Sequence, residues 1–102
     1  MNMQARYILT NKAVEDLSDI WNYIFDKWSE GQADIYYQML LVSFGEIVTK
    51  PDIGKNYEGI IKRLFGLRAG RHIIFYRMIS ADEVEITRIL HEQMDLKKRI
   101  TE

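Results

Sequence analysis

Gly70-Arg71-His72-Ile73-Ile74-Phe75-Tyr76-Arg77 is the stretch that decides the fold. A turn glycine leads into four consecutive apolar residues that are apolar on both parities. Such a run suits a central strand covered on both faces. Working outward, Ile60 to Leu67 reads as the strand before it, with Ala69-Gly70 as the turn between, and the central strand runs from Arg71 to Met78. Ser80-Ala81-Asp82 turns again, and Glu83 to Leu90 reads as a third strand. Three successive strands joined by two short turns make an antiparallel meander.

The first half has a different period. Tyr7-Ile8-Leu9 is a short strand, and Thr10 offers a helix N-cap with Glu15 and Asp16 in the opening turns, where the dipole favours acid. From Asn11 to about Trp28, Val14, Leu17, Trp21, Ile24 and Trp28 recur at spacings of three and four, one helical stripe broadened by Ile20 and Phe25. Ser29-Glu30-Gly31-Gln32 has the form of a capping box and opens a second helix. Ala33, Tyr36, Tyr37, Leu40, Phe44, Ile47 and Val48 form its apolar face, and Pro51 ends it near Lys50. So short a break makes the pair an antiparallel hairpin. Asp52 to Gly59 reads as a loop. The expected fold is therefore α+β in the order β-α-α-β-β-β, the hairpin packed on one face of a small antiparallel sheet, in one domain over 1–102. The helices cover one face of the central strand, so its other apolar face hints at a protein partner.

Bulk properties narrow the function. The 102 residues hold no cysteine, which excludes a disulfide scaffold and any thiolate-ligated metal. With 47% hydrophobic and 28% charged residues the chain belongs among globular proteins and not disordered ones. No apolar run is long enough to span a bilayer, and Met1 to Arg6 lacks a signal-peptide core, so a cytoplasmic protein is expected. Net charge −1 conceals an asymmetry: residues 1–61 carry five basic and nine acidic side chains, residues 62–102 nine basic and six acidic. An acidic partner on the second half, or merely solvated strand arginines, would account for it.

Several stretches, in order and spacing, resemble the ParE toxins of type II toxin–antitoxin systems, within the RelE/ParE superfamily. They are Leu9-Thr10-Asn11-Lys12-Ala13-Val14-Glu15-Asp16-Leu17, Ile20-Trp21-Asn22-Tyr23, Gly31-Gln32-Ala33-Asp34-Ile35-Tyr36-Tyr37, Gly66-Leu67-Arg68, His72 to Arg77 and Arg88-Ile89-Leu90-His91. The resemblance implies a small cytoplasmic toxin that inhibits DNA gyrase by binding, stops growth, and is neutralised by a ParD-like antitoxin. It implies no cofactor. RelE relatives instead cut messenger RNA on the ribosome with arginines, lysines and a C-terminal tyrosine or histidine. Here that set is depleted: no tyrosine follows Tyr76, and His72 stands where the nucleases often carry arginine.

His72 and His91 remain a possible acid–base pair, since histidine titrates near neutrality. The alternatives are histidines hydrogen-bonded within the sheet or used in an antitoxin interface, and a RelE-type endoribonuclease is the rival function. By strand parity His91 shares a face with Glu85, Thr87 and Ile89. Two histidines without a third ligand do not make a metal site. Direct nucleic-acid binding is not expected, for want of a basic recognition helix. The candidate target-binding residues are His91, Met94, Lys97, Lys98 and Arg99, on a polar, basic tail whose removal after Leu90 should leave a folded, harmless chain, with help from Arg88. The candidate antitoxin-binding residues are His72, Ile74 and Tyr76 on the sheet's open face, with the groove beside the helices. Trp21 is expected in the core, where its replacement by alanine costs about 3–5 kcal/mol.

Overall fold

The computed structural model describes residues 5–102. Most of the segment read as free of a leader, residues 1–4, lies outside the described residues. The order is β1 (Arg6–Leu9), α1 (Asn11–Lys27), α2 (Glu30–Thr49), a 3-10 turn (Pro51–Ile53), β2 (Lys55–Asn56), β3 (Phe65–Ala69), β4 (His72–Ser80), β5 (Glu83–His91) and α3 (Leu96–Thr101). The five strands form one sheet in the order β1-β5-β4-β3-β2. The meander β3–β4–β5 is antiparallel with β4 at the centre, as its sequence requires. The sheet is mixed and not purely antiparallel, because β1 pairs in parallel with β5.

Both helix starts follow their capping residues. The Thr10 hydroxyl accepts from the Ala13 amide at 3.1 Å, and Ser29 Oγ from the Gln32 amide at 3.1 Å. The hairpin lays Ala13, Leu17, Leu40, Phe44 and Ile47 on the sheet, where they meet Ile74, Tyr76, Val84, Ile86 and Ile89. The α1 stripe is rotated from the expected one: Ala13 and Leu17 are buried, whereas Val14 is 54% and Trp28 75% exposed. Trp21 is half-buried and leaves the core. Its indole N–H donates to Asp34 Oδ1 at 3.0 Å across the hairpin, and its ring stacks on Phe25.

The expected strand from Ile60 begins late, at Phe65. Residues 57–64 are turns: the Ile60 amide donates to the Tyr57 carbonyl and the Leu64 amide to that of Ile61. Arg63, in the second of these turns, has φ 65°, a left-handed conformation that costs a side-chain-bearing residue about 1–2 kcal/mol. The second face of the sheet is covered by this chain itself. Leu64, Phe75 and Leu90 form a small second core, closed by Tyr57, Ile73, Leu96 and Ile100. The tail is thus a docked helix, and cutting after Leu90 would strip that core instead of leaving the fold intact.

Register irregularities matter for the site. Phe75 pairs with Arg88 but Tyr76 with Ile86, so Thr87 is an extra residue in β5. This bulge reverses parity. Ile86 and Ile89 both enter the helix-side core, and His91 follows Ile89, while Glu85 lies on the opposite face with Arg77. The expected grouping of His91 with Glu85 and Thr87 therefore fails. Beyond the last β1 pair, α1 continues the sheet's hydrogen bonding with side chains. Thr10 Oγ1 donates to the Thr87 carbonyl at 2.8 Å, and Asp16 Oδ2 accepts from the Ile89 amide at 2.9 Å.

Candidate functional site

The bulge and the rotated α1 together open a groove of about 860 Å³ between α1, the start of α2 and the ends of β4 and β5. Its apolar wall is Ile20, Ile24 and Trp28 from α1 and Met94 after β5, with Ile89 at the base. Arg71 and Arg99 stand among its lining groups. The sheet end of the groove is polar. The Tyr36 hydroxyl accepts from the Arg71 amide at 2.9 Å, lies 2.6 Å from His72 Nδ1, and donates to the Ala69 carbonyl at 3.3 Å. Gly70 makes this possible. Its φ is 59°, and a Cβ there would lie 2.7 Å from the Tyr36 oxygen. The position read only as a turn is also a close approach.

His72 and His91 are direct partners across β4 and β5, their rings edge to face at 5.3 Å. The contact that strand parity left open is made. His91 Nδ1 accepts from the Gln93 amide at 3.1 Å, which places the proton of the neutral ring on Nε2. Burial, then the nearby His91, pushes the His72 pKa down to about 4. Its ring is neutral near pH 7. Burial also raises the Tyr36 phenol above its ordinary range. Both imidazole Nδ1 atoms are already engaged.

The remaining sequence candidates separate. Ile74 and Tyr76 are fully buried under the hairpin, with the Tyr76 hydroxyl donating to the Pro51 carbonyl at 2.6 Å and accepting from the Gly54 amide. They hold the core and offer no surface in this fold, because the helices cover the very face that was expected to be open. Arg88 is likewise withdrawn from the surface set. Its guanidinium donates to Asp16 Oδ2 at 2.8 Å and Oδ1 at 3.0 Å, and to the Arg99 carbonyl at 2.8 Å. The hydrogen bonds it donates to Asp16 hold Arg88 still more firmly in its charged form. Met94, His91 and Arg99 do line the groove. Lys97 and Lys98 do not; they are exposed on α3 and make no ion pair among the described residues. Arg68 and Arg71 both face Glu92, and Arg77 pairs with Glu85.

Sequence reasoning missed the α1 wall and Tyr36. The available signal was the excess of apolar residues on α1, wider than the stripe a helix needs to pack on one sheet. Asp16 gave no signal beyond its place in the first turns.

The fold is a small α+β domain with a helical hairpin on one face of its five-stranded sheet and a largely apolar groove beside it. The family model described as the ParE toxin of type II toxin–antitoxin system, parDE, matches residues 7–96. The chain is 31% identical over 98 residues to Toxin ParE1 of Mycobacterium tuberculosis, covering 96% of this chain and all of that one. It is 32% identical over 94 residues to Toxin ParE1 of Caulobacter vibrioides, covering 92% and 96%. A solved chain of the chromosomal ParDE TA system from P. aeruginosa has the same fold, with TM-score 0.74 at 16% identity over 88% of this chain and 98% of that one. The chain belongs to the ParE toxin family of type II toxin–antitoxin systems. No described helix is long and apolar enough to cross a membrane.

Proposed function

We propose that this toxin arrests growth by binding DNA gyrase in the cytoplasm, without cutting nucleic acid, and that a ParD-like antitoxin neutralises it from the groove. The observation that carries the antitoxin half is the groove itself. It is apolar, and Trp28, 75% exposed, stands on its wall. Large aromatic side chains left open beside a cleft are the usual anchors of a partner. An amphipathic segment with carboxylates would fill the wall with its apolar face and meet Arg71 and Arg99 with its acids. His72 belongs to this surface; Ile74 and Tyr76 do not.

The rival, a ribosome-dependent endoribonuclease, draws on the His72–His91 contact. Against it stand the state of His72 and of four strand-borne arginines. His72 is neutral near pH 7 with Nδ1 engaged, and Arg68, Arg71, Arg77 and Arg88 all face carboxylates. A phosphate would have to displace those partners. The test expresses the wild type, His72→Ala and His91→Ala and follows messenger integrity beside gyrase supercoiling. Inhibited supercoiling with intact messenger supports the proposal. Messenger cleavage that both substitutions abolish would replace it by the nuclease. A chain that binds its antitoxin yet leaves growth untouched would be a repressor module only.

A further inference from the structure

We propose that the face of the sheet opposite the groove carries a second docking surface, for an acidic protein segment that bears a large apolar side chain. Two chain segments meet there. Ile61 and Leu64 from the turns and Ile100 from α3 wall a hollow of about 260 Å³, with Thr87 and the Arg77–Glu85 pair beside it. It shares no lining residue with the groove. A hollow of that size receives one large apolar side chain.

The cations that line it are engaged, Lys12 with the Glu102 carbonyl, Arg77 with Glu85 and Arg88 with Asp16, but free ones lie next in sequence to its apolar walls. Lys62 and Arg63 occupy the tip of the turn between Ile61 and Leu64, and Lys97 and Lys98 follow Leu96, which packs on the same small core as Leu64. All four are exposed, and none makes an ion pair among the described residues. Every other arginine among the described residues is matched with a carboxylate. The turn holds Arg63 in a left-handed conformation that glycine would occupy more readily.

The hollow decides between kinds of acidic partner. A nucleic-acid backbone would satisfy the cations but has no apolar side chain to seat between Ile61 and Ile100. A second copy of this chain could offer the acidic, aromatic outer side of its hairpin, and that head-to-tail pairing would show as self-association of the chain. A protein segment with carboxylates flanking a large apolar residue meets both features. Because the two surfaces are separate, a toxin with its groove occupied would still present this one. Its use against a cellular target rests on the toxin reading above; the binding itself does not.

The probe is a fluorescent peptide of Asp and Glu around a central Trp, titrated onto the full chain by anisotropy and mapped by amide shifts. Binding should move amides 60–64 and 96–101. It should weaken roughly tenfold or more for Lys62→Glu with Arg63→Glu, for Ile61→Ser, and for a peptide with Ser in place of Trp. Trp28→Ala should bind the peptide normally. No binding, shifts confined to the groove, equal competition by a duplex oligonucleotide, or a peptide that only dissolves self-association would each overturn the proposal. In cells, the Lys62→Glu, Arg63→Glu chain, with unchanged melting and antitoxin binding, should need about tenfold more expression to arrest growth. Arrest at wild-type levels would overturn the targeting role. A wild type that arrests nothing would strike the toxin reading alone, leaving the peptide result to judge the surface.

Discussion

Arg88→Met should unfold the domain before it affects any partner. The Arg88 side chain is 10% exposed and that of Asp16 13%. Asp16 accepts two hydrogen bonds from the guanidinium and one from the Ile89 amide, and Arg88 also holds the carbonyl of Arg99 on α3. Removing one member of a largely buried pair strands the other, which costs about 3–5 kcal/mol. A domain of this kind has about 5–15 kcal/mol in all. The loss should lower Tm by roughly 12 °C or more, at about 4–8 °C per kcal/mol. Urea unfolding followed by circular dichroism measures it, with an unchanged m-value showing that two-state behaviour holds. Asp16→Asn keeps an acceptor for Ile89 and should lose less, about 1–3 kcal/mol. The pair Asp16→Leu with Arg88→Met leaves no lone charge and should be milder than Arg88→Met alone, despite the orphaned Ile89 amide. An Arg88→Met chain within about 1 kcal/mol of wild type would refute the reasoning and return Arg88 to the list of surface contacts.

Three further outcomes follow from the same geometry. His72 has a folded pKa of about 4, below the ordinary 6.5, so folding favours its neutral ring. The stability this contributes is complete above pH 6.5 and is lost as pH falls through 4, by up to about 3 kcal/mol; His72→Gln should remove that part of the pH dependence, and an identical slope in both chains would contradict it. Ile74→Glu should abolish folding, since it buries a lone carboxylate, whereas Trp28→Ala should keep the wild-type Tm and weaken antitoxin binding by about 2 kcal/mol or more in calorimetry. Trp21→Ala should cost about 1–2 kcal/mol in urea unfolding, short of a full core truncation, because the ring is half-buried and its hydrogen bond to Asp34 is exposed; a loss of 4 kcal/mol would put Trp21 back in the core.

Local chemistry was legible in the sequence, and non-local chemistry was not. Thr10, Ser29 and Pro51 place the helix ends within a residue or two, because caps and proline act on their immediate neighbours. The doubly apolar run Ile73 to Tyr76 correctly marks a strand covered on both faces. What covers its second face was misread, since α3 is short and only Leu96 and Ile100 betray it. Ile60 and Ile61 look like strand residues, but their turns are set by backbone hydrogen bonds that leave no apolar period. The Thr87 bulge reverses the parity on which the His91 assignment rested, and one extra residue has no composition of its own. His72, named for the antitoxin, and His91, Met94 and Arg99, named for the target, were expected on separate surfaces and line one groove. The α1 wall was hidden by counting Trp28 as core, and Asp16 meets Arg88 across 72 positions of chain. No local pattern encodes such a pairing.

The most direct measurement is a DNA gyrase supercoiling assay with purified toxin, run with and without the product of the neighbouring gene. The account predicts inhibited supercoiling or accumulated cleaved DNA, relieved by that product, and relieved only at about thirtyfold more of it when the toxin carries Trp28→Ala. Undisturbed gyrase in the presence of a toxin that still stops growth would contradict it and move the target to translation.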